Sequence, residues 1–434
     1  MTRHRLATVA AAAALVGVQL GVLVALDRLV GRLADPRFVA LAGAPATRTT
    51  LVRSEFRTPV RTNAAGFRGA ALPPPGRRAP GTVRIVVLGD SFTWGYGVRE
   101  RQAYPARLAR LLRARTGRPV EVVNLGLPGA GPLDYRWHLT HTALALDPDL
   151  VVVGLFANDV NDLYQIRRWG LRGPLYALAD VRAGAGQAWW KAAASTAVPN
   201  LWVLTARAAS RLHPGPAHAE AAPAAPAAGV RPAPARDPVQ AIAALGARYG
   251  RRDAVLARYA ALPSPDRSAL DALVRGETPT DDMRPLLLLG ALVDPDAEAD
   301  AVLLRSPARR AAADETAGVL EDVADRVRAH GGRAVFALFP ASEQVNAARW
   351  PVLEDAGYRL DPAMLTDTTL EDAIRDVAAR SGTPYVDLVA AFRRHRGADL
   401  YYRVDEHWNA RGQAFAASRL AAALAPLVRE VPER

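Results

Sequence analysis

Four short blocks of this chain carry side chains able to act on a reactive carbonyl. Gly89-Asp90-Ser91-Phe92 follows directly on a β-branched run. A serine on a tight turn at the end of a buried strand is held where a substrate can reach it. Its hydroxyl is a weak nucleophile until a base takes its proton. Asp405-Glu406-His407-Trp408-Asn409 offers that base, since a carboxylate beside an imidazole fixes its tautomer and stabilises the imidazolium. Phe156-Ala157-Asn158-Asp159 supplies an amide able to donate to a developing oxyanion. Asn124 to Gly131 contains Gly126, Gly129 and Gly131, where a missing Cβ lets a backbone N–H approach an oxyanion. Each block taken alone also reads as an ordinary turn or helix cap.

The elements that must position these blocks are legible as an alternation of short apolar strands and helices. Strands are expected at Val83 to Leu88, Val120 to Asn124, Leu150 to Leu155, Arg333 to Phe339 and Pro384 to Leu388. Helices are expected at Tyr104 to Arg115, Leu133 to Leu146, Ala311 to His330 and about Asn409 to Leu427. Runs that are apolar on both faces suit a parallel sheet covered by helices on both sides. The implied fold is α/β: a flavodoxin-like, three-layer α/β/α parallel sheet with its site at the carboxyl ends of the strands. All four blocks fall at such ends or on the loop beyond the fifth strand, a coincidence not expected of independent turns.

The alternation is interrupted by an insertion, residues 164–306, read as mostly helical around a Pro/Ala-rich linker at 214–236. The domain is therefore expected in two parts, 83–163 and 307–434, after a stalk and lead-in segment at 27–82. Leu6 to Leu26 is 21 residues without a charge, enough at about 1.5 Å per helical residue to cross a hydrocarbon core of roughly 30 Å. Arg3 and Arg5 place residues 1–5 in the cytoplasm by the positive-inside rule. The expectation is a single-pass anchor at 6–26 with the catalytic domain extracytoplasmic. The alternative is a cleaved signal peptide ending near Ala40-Leu41-Ala42 and a secreted product.

Composition narrows the classes further. The chain has 434 residues and no cysteine, which excludes disulfides, thiolate metal sites and a cysteine nucleophile. Its net charge of +12 is spread along the chain without a recognised nucleic-acid motif, so no nucleic-acid partner is expected. His138 and His141 read as a helix-surface pair rather than metal ligands, and no metal or organic cofactor is expected. Trp189, Trp190 and Trp202 read as packing within the insertion. Gly95-Tyr96-Gly97 lacks the third glycine and acidic partner of a dinucleotide site.

In this order the four blocks resemble the SGNH (GDSL-type) serine hydrolase/acyltransferase superfamily. The resemblance implies Ser91 as nucleophile, His407 as base and Asp405 as its partner. It implies an oxyanion hole of the Ser91 N–H, Gly129 and Asn158, with Gly126 as second choice to Gly129. Thr62 to Gly69 resembles a segment preceding the first strand in many bacterial members. The chain departs from the family in having Asp-x-His where Asp-x-x-His is commoner, and Ala157 where glycine usually precedes the asparagine. Its Asp-x-His-Trp form is similar to alginate O-acetyltransferase-like members. The implied activity is ester cleavage or acyl transfer through a Ser91 acyl-enzyme, on an ester or acylated carbohydrate. The alternatives are an O-acetyltransferase acting on an exported polysaccharide, and a catalytically idle polysaccharide-binding or scaffold protein of the cell envelope.

Overall fold

A computed structural model describes residues 41–75, 78–169, 237–277, 283–395 and 399–433, with scattered further positions within 18–29 and 173–201. Two antiparallel strands, β1 (Arg48–Val52) and β2 (Arg57–Arg61), come first. Five more form one parallel sheet: β3 (Val83–Gly89), β4 (Val120–Asn124), β5 (Leu150–Phe156), β6 (Arg333–Phe339) and β7 (Tyr385–Asp387). Their spatial order is β4-β3-β5-β6-β7. That is the 2-1-3-4-5 order of doubly wound sheets, whose switch point lies between the first and third strands. Here these are β3 and β5, the strands that lead into Ser91 and Asn158.

Every residue of β3 and β5 is buried, which explains their largely apolar, Val-rich character. Arg84 is the one charge within β3. It is tolerated because its Nε meets Glu121 Oε2 at 2.8 Å, while its backbone N–H donates to Asp149 Oδ2 at 2.8 Å. Each fully buried Val, Leu or Ile contributes roughly 1.5–3 kcal/mol relative to exposure, so the apolar side chains of this sheet are a major stabilising part of the core they share with the helices.

Seven helices set the frame: α1 (Ser91–Trp94), α2 (Tyr104–Thr116), α3 (Pro132–His138), α4 (Asn158–Trp169), α5 (Pro238–Arg248), α6 (Arg252–Ala261) and α7 (Ser264–Arg275). After them come α8 (Met283–Val293), α9 (Ala297–Leu303), α10 (Pro307–Ala329), α11 (Thr369–Arg380) and α12 (Ala410–Glu430). Helices α2 and α12 pack together, and α10 packs on α3, α4, α11 and β6. Right-handed crossovers put these two groups on opposite faces of the sheet, because the winding reverses at β3. Local signals start the helices, and α10 begins at Pro307, four residues ahead of the expected Ala311. Ser306 Oγ accepts the Arg309 N–H at 3.1 Å with Pro307 at the first helical position, and Asp237 caps α5 ahead of Pro238 in the same way.

Three readings are corrected. The helix expected over Leu133–Leu146 is α-helical only to His138, then widens into a π turn (Leu139–Ala143) and tightens into a 3-10 turn (Leu144–Leu146). The lead-in is not a stalk from Leu41 onward. The Leu41 N–H donates to Asp134 Oδ1 at 2.8 Å, and the β1–β2 hairpin buries Leu51 and Val60 against Trp94. His138 is buried rather than on the surface, with Nε2 2.7 Å from Leu41 O, whereas His141 is exposed.

The insertion is helical where described, with Ile242, Leu245, Val255, Leu270, Leu273 and Leu289 in its own core. Leu287, Leu288 and Ala291 carry α8 onto Leu353, Ala356 and Tyr358 of the hydrolase domain. The linker 214–236, the three insertion tryptophans and most of Leu6 to Leu26 lie outside the described residues. Among the described residues no helix is long and apolar enough to cross a membrane.

Candidate active site

The β3 strand ends at Gly89, and the chain turns at once into α1. A side chain at Gly89 is excluded, because a Cβ there would lie 2.1 Å from Thr93 Oγ1. Asp90 caps the helix, its Oδ1 accepting the Phe92 N–H at 2.9 Å. Ser91 is therefore the first residue of a helix, where N–H groups have no partner within the helix. Two cross-links fix this turn from behind. Thr93 Oγ1 lies 3.0 Å from the Tyr104 hydroxyl, and Gln413 Nε2 of α12 donates to Phe92 O at 3.3 Å.

The base arrives from the other end of the chain. His407 Nε2 lies 2.7 Å from Ser91 Oγ, and its Nδ1 lies 2.6 Å from Asp405 Oδ1. The same carboxylate oxygen accepts the His407 backbone N–H at 2.9 Å, so the Asp-x-His spacing closes a tight ring. The shortened spacing thus still delivers the carboxylate to the imidazole. Asn409 then caps α12, its Oδ1 accepting the Arg411 and Gly412 N–H groups at 2.9 and 3.2 Å. Trp408 is fully buried among Phe92, Phe339 and Phe392, and anchors the loop in the core.

Two sequence comparisons bear on this geometry. The profile of the GDSL-like lipase/acylhydrolase family matches residues 87–283, and that of the SGNH hydrolase-like domain of acetyltransferase AlgX matches residues 299–434. The chain belongs to the SGNH (GDSL-type) hydrolase superfamily. It is an SGNH esterase-family enzyme, and that family implies an acyl ester substrate. No curated protein matches it. Among solved structures it is similar to the acetyl xylan esterase AlAXEase at 12% identity and a TM-score of 0.36, over 79% of this chain and 100% of that one. It is similar to the lipase/acylhydrolase from Enterococcus faecalis at 13% identity and a TM-score of 0.36, over 80% and 96%.

The other two SGNH blocks line one cavity with Ser91 and His407. It measures about 540 Å³ and includes Ser91, Leu127, Gly129, Asn158 and His407. Gly126 and Gly129 are now distinguished. The Gly126 N–H is taken by Asn124 Oδ1 at 2.9 Å, and a Cβ at Gly126 would lie 2.5 Å from Trp94 N. Gly129 has a φ of 77°, a left-handed conformation that suits glycine, and it faces the cavity. Asn158 opens α4. The following Asp159 locks the turn by accepting the Phe156 N–H at 3.0 Å and the Tyr135 hydroxyl at 2.9 Å.

Electrostatics assign the carboxylates distinct states. Burial alone would lower the His407 pKa, but the charge and hydrogen bond of Asp405, with Glu406 and Asp90 adding, push it above its ordinary value. Burial would raise Asp405, yet His407 holds it below the usual carboxylate range, with help from Arg349. Asp90 is raised to about 7 by burial, with the Phe92 N–H and His407 pulling the other way. Asp159 is held well above the ordinary range by burial and by the neighbouring Asp90. An ionised Asp405 with a raised imidazole between it and a serine is the pattern of a general base ready to take a hydroxyl proton.

Some features of the site have no counterpart in the sequence reading. The His407 ring is flanked by Phe92 and Tyr96 at centroid distances of 4.9 and 4.5 Å, and the Tyr96 hydroxyl accepts from Arg53 at 2.7 Å. The Gly95-Tyr96-Gly97 stretch thus packs on the base. Glu298, Glu343 and Glu406 share the cavity wall, and burial with mutual repulsion raises Glu298 and Glu406. Helix α8 of the insertion supplies Met283, Leu286 and Leu287 to the same wall, so the insertion borders the site. Among the described residues no cluster of His, Cys, Asp and Glu could hold a metal.

Proposed function

We propose that this chain cleaves or transfers ester-linked acyl groups through an acyl-enzyme on Ser91. The observation that carries the reading is the hydrogen-bonded line from Asp405 through His407 to Ser91 Oγ. In this mechanism His407 takes the Ser91 proton as Oγ attacks the ester carbonyl. The tetrahedral oxyanion is held by the Ser91 and Gly129 N–H groups and the Asn158 amide. His407 then protonates the leaving alcohol, and a second nucleophile releases the acyl group by the reverse path. The intact line from Asp405 to Ser91 favours this over an idle, polysaccharide-binding scaffold.

Two acceptors for the acyl group are distinguished by chemistry. Water makes the protein an esterase. A sugar hydroxyl makes it an O-acetyltransferase on an exported polysaccharide, a reading favoured by the match of residues 299–434 to the acetyltransferase AlgX domain. A fluorophosphonate probe should label Ser91, and Ser91→Ala should lose both labelling and ester turnover. Retained turnover in that variant would sink the reading. Product analysis with and without an oligosaccharide acceptor then separates transfer from hydrolysis.

We also infer a membrane anchor at 6–26 with the catalytic domain outside. Support comes from the uncharged run and its flanking Arg3 and Arg5. The protein should stay in the membrane fraction after a high-salt wash, and protease should reach the domain in spheroplasts. A soluble product beginning near Gly43 would show a cleaved signal peptide instead.

A further inference from the structure

The catalytic loop is short and has little regular structure of its own. Its base is closed by a bridge between Tyr401 and Trp408 and by the Tyr402 N–H donating to His407 O at 3.1 Å. Its tip, Arg403 to Glu406, lies outside any helix or strand, yet it carries Asp405 and leads into His407. Something must hold that tip if the 2.6 and 2.7 Å contacts of His407 are to persist.

The β1–β2 hairpin provides the hold. At its turn Glu55 accepts three successive backbone N–H groups: Arg403 on Oε1 at 2.5 Å, and Val404 and Asp405 on Oε2, both at 2.8 Å. Hydrogen bonds to an ionised acceptor are roughly twice as strong as neutral ones. Next to Glu55, Phe56 packs on the Tyr402 ring at 4.9 Å, and the Tyr402 hydroxyl donates to Gly97 O at 2.8 Å. From the other side Arg349 Nη2 donates to Val404 O at 2.8 Å, so the Val404 peptide is gripped at both ends. The hairpin is itself seated on Trp94, three residues beyond the nucleophile in α1. One element therefore touches the helix of Ser91 and the loop of His407 together.

We propose that Glu55 is a positioning residue of the catalytic centre, fixing the backbone that carries Asp405 and His407. This rests on the Ser91 acyl-enzyme reading. Glu55 touches neither nucleophile nor base and acts by setting where they meet. Replacing the carboxylate by an amide at constant shape turns one acceptor into a donor facing N–H groups, so Glu55→Gln should disturb the loop almost as much as Glu55→Ala. Glu55→Asp keeps the charge on a shorter arm and should restore part of the function.

The test uses the full chain and an activated acetyl ester. Glu55→Gln and Glu55→Ala should lower kcat by about 10- to 100-fold, the scale of a displacement of roughly 1 Å, with little change in KM. The pH inflection assigned to His407 should fall as its contact with Asp405 loosens, and the thermal midpoint should stay near the parent's. Ser91 labelling by a fluorophosphonate, measured on the folded fraction, should slow in parallel. Parental kcat and pH inflection in both variants would overturn the proposal, as would a kcat loss that merely tracks the loss of folded protein. Ester cleavage surviving in Ser91→Ala would defeat the underlying reading instead, whatever the Glu55 variants do.

Discussion

His407 is drawn two ways, and the balance sets how the site responds to pH. Burial favours the neutral ring, and the charge and hydrogen bond of Asp405 favour the cation more strongly. Only the neutral imidazole can take the Ser91 proton, so turnover should rise with pH through an inflection above the ordinary histidine value of 6.5. Asp405→Asn removes the charge that raises the ring, so the inflection should move to lower pH while the plateau rate falls. A pH–rate profile that keeps its inflection in Asp405→Asn would reassign the acid. Ser91, Asn158, Asp405 and His407 were legible because each sits in a local pattern, the first two just after a strand and the last two just before the closing helix. Glu55 was not, since it reaches the catalytic loop across 350 positions and a lone acid on a polar turn carries no local signal. Tyr96 was set aside for a related reason, its flanking glycines suggesting only a failed phosphate motif.

At the scale of elements, α12 depends on one cap more than its length suggests. Asn409 accepts two helix N–H groups, while its amide donates to Tyr401 O at 2.7 Å and Asp399 O at 3.1 Å. Asn409→Ala should cost about 1–2 kcal/mol in chemical denaturation, the upper range for a lost cap. Asn409→Asp keeps the acceptor and should fall between the two. Equal midpoints for all three proteins would show that the cap is dispensable. The strands themselves were readable to within a residue, because β3, β5 and β6 are buried on both faces and cannot vary in character. The hairpin escaped notice because Pro59 interrupts the alternation of β2, and proline argues against a strand unless the strand lies at an edge.

For the molecule as a whole, buried carboxyls tie stability to pH in an unusual direction. Asp90 moves from 3.8 to about 7 on folding, so its contribution is fully present below 3.8 and is lost as pH rises through about 7. Asp159, Glu298, Glu371 and Glu406 are raised as well and act in the same sense. His138, lowered by burial, works oppositely and weakens the fold as pH falls. The thermal midpoint should therefore decline from mildly acidic to mildly alkaline buffer, and Asp90→Asn should flatten part of that decline. An unchanged slope in Asp90→Asn would mean that the carboxyl ionises freely in the folded state. The order of the chain adds a temporal consequence. Ser91 and His407 are 316 positions apart. During synthesis the serine turn and most of the sheet can form long before the residue that activates the serine leaves the ribosome. A nascent chain is thus a hydrolase without a trigger, and no ester in its path is at risk until the closing helix has arrived.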